Sequence, residues 1–325
     1  MPDGKKYLYG PVPSRRLGRS YGVDIVPFKV CTLDCIYCQL GKTVEKTIER
    51  RDFGPVEPVL DELREVVAEG LEADFITIAG SGEPTLNLRL GELIDGIKRI
   101  TNTAIAILTN GTLLYREDVR ADCVKADVAM PSLDAGDQQT FRQMNRPHDN
   151  ISIEKLVSGL CAFRDEFAGQ IWLEVFFVEG TNTDAGQIAR IRDAIQLVRP
   201  DKVHLNTAVR PTADPSIGRP DAESLQAIAA RLGPRCEVIA DFSHTRTGRL
   251  PKGAAEDILG SHFGIGRKTE ALFSMLKRRP CSLNDICSGL GISRNEALKY
   301  ISDLQHRAVI QSEIKDGSVF FKASS

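Results

Sequence analysis

The chain has 325 residues, enough for one large domain and a small one, with 26% charged residues and a net charge of −2 at pH 7. These are the values of an ordinary globular protein, and they exclude recognition of nucleic acid or membrane by a global charge. The apolar runs fall short of a bilayer span and residues 1–6 lack the apolar stretch of a secretion signal, so the expected location is cytoplasmic with no membrane partner. In that compartment thiols stay reduced, and clustered cysteines hold metal or do chemistry more often than they pair.

Taken in chain order, apolar, β-branched runs at 21–28, 75–79, 104–108, 128–132, 171–178 and 202–206 predict strands. Amphipathic stretches at 59–69, 90–100, 153–165 and 185–198 predict helices between them. Near-continuous apolar strands alternating with helices indicate parallel βαβ units buried on both faces. Six such repeats point to a closed or partly closed α/β barrel, with an open doubly wound sheet as the alternative that alternation alone leaves standing.

The texture then changes. Five glycines and Pro251 between 241 and 268 break any long periodicity, which sets a domain at 1–245 and a linker at 246–267, with room for a short helix at 256–263. In the remaining domain, 268–325, a helix at 269–279 stops before Pro280. Ser282 caps a second helix to Leu290 with Asp285 three residues on, and Ser293 caps a third to about Arg307. Strands at 309–314 and 318–322 flank Asp316-Gly317, a two-residue hairpin turn. Three helices and a hairpin in this order predict a small winged helix-turn-helix domain.

Cys31, Cys35 and Cys38 follow the first predicted strand, where barrel enzymes place active-site loops. Three thiolates on one loop can hold three irons of a four-iron cluster and leave the fourth iron open to substrate. A structural zinc site would need a fourth ligand. Cys123, Cys161, Cys236, Cys281 and Cys287 are scattered and read as buried apolar residues.

The Cys-x3-Cys-x2-Cys pattern with Tyr37 before its last cysteine resembles the signature of radical S-adenosylmethionine (SAM) enzymes. The flanks, from Tyr9-Gly-Pro-Val-Pro-Ser-Arg-Arg-Leu-Gly to Cys38-Gln-Leu-Gly-Lys-Thr43, are similar to the Fe–S oxidoreductases related to the wyosine tRNA-base synthases. The Arg278–Ser282 pattern in the tail extends that likeness. The resemblance implies a partial (β/α)6 barrel of radical SAM type. It also implies a [4Fe-4S] cluster on Cys31, Cys35 and Cys38, SAM as cofactor, and a one-electron donor such as flavodoxin or ferredoxin.

It further implies SAM contacts near Tyr37 and along the later strands. Gly80-Ser-Gly82-Glu83-Pro84 resembles the family's glycine–glutamate element: Gly82 lets the backbone approach the ligand, and Glu83 or neighbouring carbonyls accept from the methionine ammonium. Asn110 follows the third strand, in what is equally an Asn-Gly turn. Ser132 matches a ribose or carboxylate contact; Asp134 does so or caps a helix. Glu174 lies inside an apolar strand and needs a partner, whether ligand hydroxyl or structural cation. Asn206 closes the sixth strand as an adenine or substrate contact. Arg15, Arg16, Arg19 and Arg210 are expected near the barrel mouth, binding an anion or pairing local acids. His148 and His244 are isolated loop histidines available for proton transfer.

Two functions follow. In the first, the reduced cluster cleaves SAM to methionine and a 5′-deoxyadenosyl radical that abstracts hydrogen from a tRNA base or other anionic substrate. Against wyosine-type chemistry itself, those enzymes carry a second cluster on cysteines largely ahead of the signature, whereas Cys31 is the first cysteine here. In the second, a transcriptional regulator senses redox state or SAM and binds DNA through the winged helix. Arg294, Asn295 and Lys299 suit a groove-entering helix, while Glu296 and Asp303 oppose it. RNA or a protein partner fits the same tail.

Overall fold

Alternating apolar runs and amphipathic helices build one α/β unit, and the capped tail builds a second. The computed structural model describes residues 7–54, 56–242 and 265–324, which fall into two units, Met1–Ala240 and Asp241–Ser325.

The first unit begins with β1 (Leu8–Ser14), β2 (Gly18–Val23), the short β3 (Val30–Cys31) and β4 (Glu45–Lys46), then α1 (Glu57–Ala68). It continues through β5 (Phe75–Ile78), a 3-10 turn (Pro84–Leu86), α2 (Leu90–Ile100), β6 (Ala104–Leu108), α3 (Glu117–Cys123), β7 (Val128–Met130) and α4 (Gln138–Asn145). It ends with α5 (Ile153–Glu166), β8 (Gln170–Phe177), α6 (Ala185–Val198), β9 (Lys202–Thr207), α7 (Ala222–Leu232) and β10 (Cys236–Val238). The eight-stranded sheet runs β1-β2-β5-β6-β7-β8-β9-β10. β1 is antiparallel to β2 and every other neighbouring pair is parallel. Strand order never reverses, so the doubly wound alternative, which needs a reversal, gives way to a partial barrel.

The first strand departs from expectation. The run 21–28 is strand only as far as Val23; beyond it the Pro27 carbonyl accepts from Val30 N (3.2 Å) and turns the chain. Ile76 and Ile78 of β5, Ile105 and Ile107 of β6, and Leu90, Leu93, Ile94 and Ile97 of α2 are all fully buried. Each such side chain stabilises by about 1.5–3 kcal/mol. On the inner side Leu17, Ala106, Val128, Met130 and Trp172 fill the barrel from beneath. Asp137, Ser152, Asp184 and Asp221 cap α4, α5, α6 and α7 by accepting first-turn N–H groups, each contributing about 1 kcal/mol.

The second unit contains α8 (Ile265–Arg278), β11 (Cys281–Ser282), α9 (Leu283–Leu290), α10 (Arg294–His306), β12 (Ile310–Lys315) and β13 (Ser318–Ala323). Its sheet order is β11-β13-β12. Ser282 and Asp285 form a reciprocal capping box, and Ser293 caps α10. Asp316 and Gly317 both have positive φ (50° and 77°), as a two-residue hairpin turn of this hand requires. Residues 246–264 of the expected linker, including the helix at 256–263, and His244 lie outside the described residues.

Candidate active site

After β2 the chain crosses the C-terminal ends of the parallel strands, and three separate connections hold it there. Lys29 N donates to Ser81 O (2.6 Å) and Glu83 N to Val30 O (3.0 Å), tying it to the loop after β5. Asp34 N donates to Asn145 O (3.0 Å) and Ile36 N to Met144 O (2.9 Å), at the end of α4. Beyond β9, Ala213 N donates to Cys38 O (2.8 Å) and Asp214 N to Ile36 O (2.9 Å). The cysteine loop is therefore fixed by backbone bonds, whatever its side chains do.

All three sulfurs accept an N–H group. Asn110 Nδ2 reaches Cys31 Sγ and Asn145 Nδ2 reaches Cys35 Sγ, both at 3.5 Å, and Lys29 Nζ reaches Cys38 Sγ at 3.0 Å. Burial pushes the Cys31 thiol up to about 12, with Glu83 adding to the effect. Burial also holds Cys35 well above the usual thiol range, with the charge of Cys31 next in importance. Thiols so placed give up protons to a bound metal that replaces the missing positive charge. Among the described residues no three His, Cys, Asp or Glu side chains converge as a mononuclear ion demands.

The rim around this loop is held by the protein's own contacts in three places. A Cβ on Gly82 would lie 2.3 Å from Val30 O and 2.7 Å from Val26 Cγ1. Gly82 thus makes room for the protein's own cysteine loop. Glu83 is buried and already accepts from Thr85 N (3.1 Å), Thr85 Oγ1 (2.6 Å), Thr109 Oγ1 (2.5 Å) and Asn110 N (2.8 Å). Its carboxylate locks the loops after β5 and β6 together. Burial raises its pKa while these donors pull it back. The Tyr37 ring stacks on Phe176 at 4.0 Å and its hydroxyl donates to Asp134. Asp134 neither caps a helix nor faces outward: it also accepts from Phe176 N (2.8 Å) and Asn145 Nδ2 (2.8 Å). Burial pushes its pKa up to about 6.

Deeper in the barrel, Glu174 of β8 is ion-paired with Arg16 and accepts from Asn206 Nδ2 (3.2 Å). Ser132 forms a parallel bridge with Glu174. Ser132, Glu174 and Asn206 are thus brought together, on three adjacent chain segments. The arginines scatter, contrary to expectation. Arg16 enters from the β1–β2 turn, where the parallel strands begin, while Arg19 pairs with exposed Glu72 (2.7 Å) and Arg15 donates to Ile239 O (2.7 Å). Arg210 is buried. His148 accepts from Asn150 N (3.2 Å) in the segment that follows α4.

The family model of the radical SAM superfamily matches residues 25–184. A UPF0026 protein of Methanocaldococcus jannaschii is 35% identical over 224 residues, 68% of this chain and 70% of its own length. The chain belongs to the radical SAM superfamily. A Brachyspira hyodysenteriae protein named GTPase Obg is 34% identical over 314 residues, which is 96% of this chain but 44% of that protein. The chain therefore spans less than half the length of that relative. A structure of TYW1 with a lysine–pyruvate adduct bound shares the fold, with TM-score 0.51 and 19% identity over 67% of this chain and 74% of that one.

Radical SAM enzymes use a [4Fe-4S] cluster, SAM and an external electron donor, and the donor set here fits the cluster: three sulfurs on one backbone-anchored loop, all accepting N–H groups. No described helix is long and apolar enough to cross a membrane. Two residues around the cysteine loop escaped the sequence reading. Lys29 has only its place two residues before Cys31 to signal it, and Asn145 ends a helix too polar to show an apolar period.

Proposed function

We propose that the chain cleaves SAM reductively with a single four-iron cluster on Cys31, Cys35 and Cys38 and abstracts hydrogen from an anionic, nucleic-acid substrate. The bound cluster would supply one electron and an open iron for the amino and carboxylate groups of SAM, giving a 5′-deoxyadenosyl radical. The observation that carries this reading is the convergence of N–H donors from three segments on the three cysteine sulfurs. Ser132 just after β7, Glu174 of β8 and Asn206 of β9 form a polar layer suited to the ribose and adenine of SAM. With Glu83 spent on Thr85, Thr109 and Asn110, the methionine ammonium falls to backbone carbonyls of the loop after β5. Tyr37 and Asn110 support the cysteine loop from either side.

We read the second unit as a winged helix that grips the nucleic acid. The acids that count against this on α10 are already paired, Glu296 with Lys268 (2.8 Å) and Asp303 with Arg307 (3.1 Å). Arg294, Asn295 and Lys299 remain on its exposed face.

Anaerobic reconstitution with iron, sulfide, dithionite and SAM tests the enzyme, with 5′-deoxyadenosine release as the expected result. Cys35→Ala should abolish the four-iron spectrum, and a retained spectrum would overturn the ligand set. Salt-dependent RNA binding, weakened by Lys299→Glu, is expected of the tail. A loaded protein that binds DNA and releases no 5′-deoxyadenosine would be a sensor instead.

A further inference from the structure

The potential of an iron–sulfur cluster is set by nearby charge, by burial and by hydrogen bonds to its sulfurs. The donors around Cys31, Cys35 and Cys38 are not equivalent. Asn110 and Asn145 offer neutral amides at 3.5 Å, whereas Lys29 offers an ammonium at 3.0 Å. Lys29 is only 4% exposed. Among the described residues no carboxylate pairs with it, and Cys38 Sγ is its side chain's hydrogen-bond acceptor. A buried ammonium without an acid is costly, so this position needs a negative charge from another source.

The backbone fixes the ammonium in place. Lys29 has φ of 58°, a left-handed conformation that costs a non-glycine residue about 1–2 kcal/mol. It is held there by its N–H on Ser81 O (2.6 Å) and by its carbonyl, which accepts from Val44 N (3.0 Å) and Glu45 N (3.2 Å). These are bonds of the loop that presents Cys31 and of the strand, β4, that closes it.

We propose that Lys29 is a positioning residue whose ammonium, acting through Cys38, is the fixed positive charge that raises the cluster's reduction potential. Reduction brings one electron from an external donor to a site already carrying three thiolates, and forms or breaks no bond. A buried cation beside one thiolate favours the more negative, reduced state, and the neutral amides on the other two do so less. This rests on the three cysteines holding the cluster.

The test is an anaerobic dithionite titration of the reconstituted full chain without SAM, followed by the electron paramagnetic resonance of the reduced cluster. Lys29→Met and Lys29→Gln should make reduction at least tenfold less favourable, a midpoint lower by about 59 mV for one electron. Lys29→Arg should stay near the wild type. The glutamine variant keeps a donor of similar length, so the measurement survives if the methionine variant does not take up iron. An unmoved midpoint in Lys29→Gln with an intact four-iron spectrum overturns the proposal. So does an equal shift in Lys29→Arg. Failure of the wild type to form a four-iron cluster would overturn the ligand set itself, and the proposal with it.

Discussion

Glu83, in the loop after β5, and Glu174, within β8, are acids of the same α/β unit that are balanced in opposite ways. Glu83 takes four donors, all neutral and all from the loops after β5 and β6. Glu174 takes a guanidinium from Arg16, 158 residues earlier in the chain, and an amide from Asn206. Neutral donors make Glu83 a clamp between adjacent loops and leave its charge in place, so burial still raises its pKa. The arginine cancels the charge of Glu174 and ties the barrel interior to the β1–β2 turn. The rim is thus organised by geometry and the interior by charge.

Arg16→Met breaks this comparison hardest. It leaves the Glu174 carboxylate without its cation above the Leu17, Met130 and Trp172 cluster. Removing one partner of a fully buried pair costs about 3–5 kcal/mol. With side chains 17% and 18% exposed, solvent screening lowers the expected loss to about 2–3 kcal/mol. Denaturant unfolding of the full chain measures it, and adding Glu174→Gln should restore most of the loss. A single variant within about 0.5 kcal/mol of wild type, the ordinary range of surface substitutions, would mean water already does the arginine's work.

Local signals made much of this legible. The apolar periods of 90–100 and 185–198 coincide with α2 and α6, and Ser282 and Ser293 cap as their residue types predict. The cysteine spacing and Glu83 pointed to the site because both are written in a few consecutive residues. What stayed hidden depends on three dimensions. β1 carries Pro11 and Pro13, which argue against a strand until it is seen at the sheet edge, where a missing N–H is tolerated. α4 has only Phe141 and Met144 as large buried apolar residues, so Asn145 had no visible helix to sit on. The three N-terminal arginines look alike in sequence, and only the fold sends Arg16, in the β1–β2 turn, inward and Arg19, on β2, out.

Glu83→Gln sharpens the other side. Gln keeps one acceptor, but its amide must turn an N–H toward donors that now receive only one carboxylate-like oxygen. With Oε1 serving Thr85 and Thr109, the N–H of Asn110 loses its acceptor, and an unsatisfied buried donor costs about 1–3 kcal/mol. Because Asn110 Nδ2 also bonds Thr32 (2.7 Å) and Cys31, the variant should load iron more slowly as well. Unchanged unfolding and unchanged loading would show that the clamp is incidental to the cysteine loop.

The smallest expected effect lies beside Glu174. His204 faces it across the β8–β9 ladder, is buried against the edge of Trp172, and donates from Nε2 to Glu237 Oε1 (2.8 Å). Burial, and then the charge of Arg16, hold its pKa below the usual histidine range, while Glu237 and Glu174 pull the other way. The folded protein therefore takes up this proton less readily than the unfolded chain. The stability it contributes is present above the unfolded value, about 6.5, and is lost as the pH falls through that value towards the folded one. Unfolding free energy should decline between pH 7 and pH 5, and His204→Gln should flatten the decline. Arg16→Met should flatten it too, since it removes the cation that disfavours a second positive charge there. Equal slopes in wild type and Arg16→Met would separate His204 from the Arg16–Glu174 pair, and would confine charge balance in the interior to that one contact.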